Sequence, residues 1–155
     1  VISEHFTLRE VEFSEKGARA GVDNSLPPEL MRNVQRMAGV MEIIRAKAGA
    51  AIHVSSWYRN SKVNRLVGGS KTSAHTDGRA VDFNIAGYSP RESAILVRSI
   101  PELVSVIDQT ILEFESWVHV GIAPFGEIPR GEMLTASTER GLFGVRTVYS
   151  KGFTA

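Results

Sequence analysis

Leu30, Val34, Met37, Met41 and Ile44 recur at spacings of three and four, the interval that gathers side chains on one face of an α-helix. Pro27 and Pro28 suit a first helical turn and Gly49 a stop, so the pattern predicts an amphipathic helix over 28–48. Its methionine-rich stripe is read as core packing. Beyond Gly49 the period changes. "AIHVSSW" (51–57) and "RAVDFNI" (79–85) are rich in β-formers and predict strands, as do "VSVIDQTILEF" (104–114) and "WVHVGIA" (117–123). A short turn around Glu115 and Ser116 would join the last two into a hairpin.

Two capping boxes mark further helices. Thr7-Leu8-Arg9-Glu10 opens a short one near the start, and Ser89-Pro90-Arg91-Glu92 opens another that runs to about Ser99 and is ended by Pro101. The polar, glycine-containing stretch 58–73 reads as a short helical piece plus a loop, and the segment after Pro124 as glycine-rich with one β-like piece at 146–150. The expected fold is α+β in a single domain, 1–155, with helices packed on one face of a small, mainly antiparallel sheet.

Composition narrows the chemistry more than the fold. A chain of 155 residues buries roughly two thirds of its unfolded surface, enough for one core. A net charge of +1 argues against a strongly basic nucleic-acid surface, and no apolar run approaches the roughly 18 residues of a membrane span. The opening "VISEHFTLRE" lacks a basic region followed by an apolar one, so no export signal is expected there. With no cysteine, disulfides and thiol nucleophiles are excluded, and any metal must be held by His, Asp or Glu.

Strand alternation places candidates for that role. Val81, Phe83 and Ile85 share one face of 79–85, while Ala80, Asp82 and Asn84 share the other. In 117–123, Val118, Val120 and Ile122 point one way and Trp117, His119 and Gly121 the other. If the apolar faces pack on the 28–48 helix, Asp82 and His119 emerge together on the opposite face, and His75 sits in the loop that feeds the strand of Asp82. An ionised carboxylate in such a strand needs a cation beside it. Two imidazoles and one carboxylate could hold a tetrahedral zinc with a fourth position left for water, whose pKa would fall to about 7. Each residue also has an ordinary reading: a surface loop for His75, an ion pair with Arg79 or Arg59 for Asp82, a half-buried histidine for His119. His5 and His53 are read as structural or exposed.

The motif Ser73-Ala74-His75, Gly78, Ala80 and Asp82 fits the pattern S-x-H-x-x-G-x-A-x-D, and with "WVHV" it resembles the zinc D-alanyl-D-alanine carboxypeptidases and phage endolysin peptidases. The likeness extends through "FTLREV", "GVDNSLPPEL", "SSWYRNSKVNRLVGGSKTSAH", "DQTILEFESWVHVGI" and "MLTAS", and so covers nearly the whole chain. It points to the phage-associated branch, whose fold is related to that of hedgehog signalling domains.

The resemblance implies zinc held by His75, Asp82 and His119, and Arg59 at the substrate carbonyl or developing oxyanion. Ser73 would contact the peptide, and Gln109 and Trp117 would wall the groove. For the general base it offers Glu113, six residues ahead of the second histidine, with Glu115 as the other candidate. Many relatives carry an acid where this chain has Ser116, and a glycine is typical where it has Glu115. The implied activity is hydrolysis of an amide bond in the peptide stem of bacterial peptidoglycan, by a monomer with no nucleic-acid partner and no membrane insertion. It would act from the host cytoplasm after membrane permeabilisation, or from a virion. The alternative is a zinc-bearing cell-wall-binding module or virion component without turnover.

Overall fold

In the computed structural model, which describes residues 1–153, six strands form one sheet. They are Ile52–Ser56 (β1), Ala80–Ile85 (β2), Ile107–Glu113 (β3), Trp117–Ile122 (β4), Glu132–Gly141 (β5) and Gly144–Lys151 (β6), in the order β1-β2-β4-β3-β5-β6. Of the neighbouring pairs only β3 with β5 is parallel. The helices are Leu8–Glu12 (α1), Glu15–Arg19 (α2), Met31–Ala48 (α3), Ser61–Leu66 (α4) and Pro90–Ser99 (α5). The fold is α+β with a mainly antiparallel sheet, as the hydrophobic pattern predicts.

Local chemistry explains where the helices begin. Both capping boxes form: Thr7 accepts from the Glu10 N–H and Ser89 from the Glu92 N–H, while each glutamate carboxylate accepts the N–H of its cap residue. Each cap contributes about 1 kcal/mol. Pro28–Leu30 forms a 3-10 turn that leads into α3, and α3 ends at Gly49, whose φ of 62° is the left-handed value glycine adopts without strain.

The core lies between α3 and α5 and one face of the sheet. Val34, Met37, Met41 and Ile44 of α3 are fully buried with Val81 and Phe83 of β2 and Val118 and Val120 of β4. Each such side chain gains about 1.5–3 kcal/mol from burial. The inward alternation of β2 and β4 thus leaves their other residues on the face that carries the site.

The C-terminal segment differs from expectation. It holds two strands rather than one β-like piece, because β5 continues the sheet beside β3 and β6 pairs back along it from Leu134↔Lys151 to Gly141↔Gly144. "EMLTASTERG" carries no apolar alternation because most of the strand beyond Ala136 is exposed. The two strands at 104–114 and 117–123 form as expected, although β3 begins only at Ile107 because Pro101–Leu103 is a 3-10 turn.

One glycine positions the site directly. The 3-10 turn Ala74–Asp77 carries His75 and closes on Gly78, at φ 71°. A Cβ there would stand 2.8 Å from Val34 Cγ2 in the core. Gly78→Ala therefore meets both left-handed strain and a clash with α3, and should destabilise the protein by about 2 kcal/mol or more. Urea denaturation checks this; an unchanged midpoint would contradict the close packing of the turn on α3.

Candidate active site

β2 and β4 pair with Asp82 opposite His119. Residues opposite one another in a ladder share a face, so the carboxylate and imidazole meet on the side away from the core. His75 arrives from the 3-10 turn, held there by Ser73, whose Oγ accepts the His75 N–H at 3.3 Å. Trp57, fully buried at the end of β1, anchors both parts: its Nε1 donates to the Gly78 carbonyl at 3.1 Å and its own carbonyl lies 2.6 Å from His75 Nδ1.

The three donor atoms are close. Asp82 Oδ1 lies 2.9 Å from His119 Nδ1, Asp82 Oδ2 lies 3.2 Å from His75 Nε2, and the two ring nitrogens are 3.3 Å apart. All three residues are buried, His75 to 1% exposure and Asp82 and His119 to 8%. Burial by itself pushes the Asp82 carboxyl up, but the two histidines outweigh it and hold the group well below the usual carboxylate range. Desolvation lowers the His75 imidazole. His119 is also lowered by desolvation, yet the Asp82 hydrogen bond and charge leave it raised overall.

These atoms fit a divalent cation. With Nδ1–H donated to the Trp57 carbonyl, a neutral His75 presents the Nε2 lone pair to Asp82 and His119. A proton on His119 Nδ1 can point at only one of its two neighbours, so at least one pair of acceptors faces each other without a proton. A metal resolves that conflict, and a tetrahedral site with ligand distances of about 2.0–2.1 Å has ligand atoms roughly 3.3 Å apart, close to the spacing found. The carbonyl behind His75 fixes its ring orientation, the usual support for a metal-binding imidazole. The group His75, Asp82 and His119 could thus hold a metal ion.

The cluster lies in a groove of about 760 Å³. Glu113, at the end of β3, places Oε1 3.9 Å from His119 Nδ1. Burial, reinforced by the Asp82 charge, pushes its carboxyl up to about 7. Arg59 lines the same groove; desolvation lowers its guanidinium against the pull of Asp82 and Glu113. Its Nη2 is 3.5 Å from Ser73 Oγ and its Nε is buried without a hydrogen-bond partner among the described residues.

Glu115 is turned elsewhere. Phe114 and Glu115 adopt φ of 53° and 51°, a tight β3–β4 turn that swings the Glu115 carboxylate outward to an ion pair with Arg91. Such left-handed backbone suits glycine better than glutamate. Ser116 is exposed on the same turn, its Oγ donating to the Phe114 carbonyl at 3.0 Å. Ser73, Gln109 and Trp117 all line the groove. Ser73 also serves as the cap of the His75 turn, and Gln109 donates to Glu132 Oε1 at 2.6 Å. Trp117 packs on Phe114 with ring centroids 5.6 Å apart, its Nε1 buried and unpartnered among the described residues. Arg79 is paired with Asp77 and does not serve as the cation for Asp82. His5 lies against Glu42 and His53 is exposed on β1, both away from the groove.

Asn24 was not among the sequence candidates. It is buried, donates to the carbonyls of Glu12 and Tyr58, and accepts the Asn60 N–H, so it clamps the loop that carries Arg59. Only its place in "GVDNS", before a proline pair, hinted at a structural loop.

A protein-family model described as Peptidase M15 matches residues 4–121. No curated protein and no solved structure shows a significant match to the chain. The matched span contains Arg59, the His-Asp-His group and Glu113. By this match over most of its length, which spans the His-Asp-His group that could hold a metal ion, the chain belongs to the peptidase M15 family.

Proposed function

We infer that the protein is a zinc peptidase that hydrolyses an amide bond in the peptide stem of bacterial peptidoglycan. The observation that carries this reading is the convergence of His75, Asp82 and His119 in a groove that the Glu113 carboxylate and the Arg59 guanidinium also line. Zinc suits an all-nitrogen-and-oxygen donor set of three, and when bound it supplies the Lewis acidity that polarises a substrate carbonyl and acidifies water.

The chain's own residues supply the rest. Glu113, close enough to the cluster to face a water there, takes the water proton and returns it to the departing amine as the C–N bond breaks. A carboxyl poised near 7 can do both at neutral pH. Arg59 stays charged and offers several donors to the oxygen on which negative charge develops. Its Nε has no hydrogen-bond partner among the described residues and its contact with Ser73 is long at 3.5 Å, so it keeps donor capacity for substrate. The peptide stem is the substrate implied by the resemblance of the His75 and His119 motifs.

The test is chemical. Zinc-loaded protein incubated with purified peptidoglycan should release new amino groups, and mass spectrometry of the fragments should identify the bond. A strong chelator should reduce the rate to background and added zinc should restore it. Release that persists undiminished in chelator would overturn the reading.

A further inference from the structure

The groove is not built from the matched segment alone. Thr147 and Tyr149 of β6 line it, together with residues that follow β4, whereas the Peptidase M15 match ends at residue 121. The ladder registers show how Tyr149 comes to be there. Trp117 of β4 pairs with Glu113 of β3, Glu113 with Ala136 of β5, and Ala136 with Tyr149 of β6. These four side chains share one face of the sheet, the face that carries His119 two residues along β4.

β6 lies two strand spacings from β3, about 10 Å across the sheet, a span that a glutamate and a tyrosine side chain can close between them. Ala136, the residue between, is buried and contributes only a methyl group, so no larger side chain of β5 stands between Glu113 and Tyr149. Tyr149 is 57% exposed, which is unusual for a ring whose role is to fill a core. Burial and the nearby Glu113 charge both raise its phenol above the ordinary range, so it remains a hydrogen-bond donor.

We propose that the β5–β6 hairpin forms the far wall of the substrate groove and that Tyr149 is a positioning residue there, its hydroxyl hydrogen-bonding the backbone of an extended peptide stem beside Glu113. This rests on the peptidase reading for the identity of the ligand. Thr147, two residues along the same face, continues the wall toward the hairpin tip. The role differs from that of Glu113 because Tyr149 exchanges no proton with the reacting atoms; it sets where the peptide lies.

The experiment compares full-length wild type with Tyr149→Phe, Tyr149→Ala and Phe143→Ser, the last at the fully exposed hairpin tip outside the groove. The dissociation constant for a soluble disaccharide-pentapeptide is measured on zinc-depleted protein, and KM, kcat, zinc stoichiometry and melting temperature on the loaded form. One lost hydrogen bond should weaken peptide binding about fivefold in Tyr149→Phe, and loss of the ring more than tenfold in Tyr149→Ala. The same factors should appear in KM, with zinc content and melting temperature unchanged. Binding and KM within twofold of wild type in both Tyr149 variants would overturn the inference, as would an equal loss in Phe143→Ser, which would mean general disturbance of the hairpin. Wild type that cleaves peptidoglycan while the Tyr149 variants match it removes this inference alone. Wild type that neither cleaves nor binds the peptide removes the peptidase reading and the inference with it.

Discussion

On the proposed function, Glu113→Gln should lower amine release from peptidoglycan by about 100- to 10,000-fold, the range that loss of a general base produces, and should leave zinc bound. The substitution keeps the size and shape of the side chain but removes its ability to take a proton. Zinc binding survives because Glu113 stands outside the triangle of donors, 3.9 Å from His119 Nδ1, whereas the donors lie within 3.3 Å of one another. Stability should hold as well, since burial already opposes the charged carboxylate and an uncharged amide escapes that penalty. Amine release and metal content by mass spectrometry, measured on the same preparation, give both halves of the result. Glu115→Gln separates the two carboxylates. Its side chain is engaged with Arg91 on the outer side of the turn, so the larger loss should fall at Glu113. Turnover undiminished in Glu113→Gln would remove it as the base, and a wild type that binds zinc and peptide without turnover would favour the binding-module alternative.

The separation of Glu113 from Glu115 marks a boundary of what the sequence reveals. Both stand near the same predicted turn, and alternation along 104–114 says nothing about residues beyond the strand. What divides them is the left-handed backbone at Phe114 and Glu115, which reverses the chain within three residues and sends one carboxylate inward and the other out. No hydrophobic period encodes that. Alternation does encode the meeting of Asp82 and His119: each strand puts its valines into the core, so the intervening polar residues must share the other face. The supporting contacts were beyond reach. His75 is oriented by the carbonyl of Trp57, and the Arg59 loop is clamped by Asn24. Backbone carbonyls and loop asparagines leave no pattern until the chain has closed on itself. β5 stayed hidden for the opposite reason, since a strand exposed along most of its length needs no apolar alternation.

On the same reading, Asp82→Asn should weaken zinc binding by more than about 100-fold and abolish amine release with it. Loss of a supporting residue around a metal typically costs 10- to 100-fold in affinity, and in the proposed site Asp82 is a donor itself, the one anion among the three. Asparagine keeps an acceptor oxygen but no charge, so it neither offsets a divalent cation nor satisfies both imidazoles in the same way. The metal-free protein should nevertheless fold. His119 is raised because Asp82 accepts its hydrogen bond and carries the opposing charge; with asparagine it takes the neutral form and can still donate to the amide oxygen. The strand ladder around the site is untouched, since β2 and β4 pair through their backbones. Competition with a chelating dye measures the affinity, and circular dichroism with thermal melting of the zinc-depleted forms measures the fold. Zinc affinity within tenfold of wild type would mean that Asp82 is not a metal ligand. A variant that fails to fold would instead make the buried Asp82 carboxylate part of the architecture of the sheet, and His119→Ala would then carry the metal test, because it removes a donor while leaving Asp82 opposite His75 at 3.2 Å.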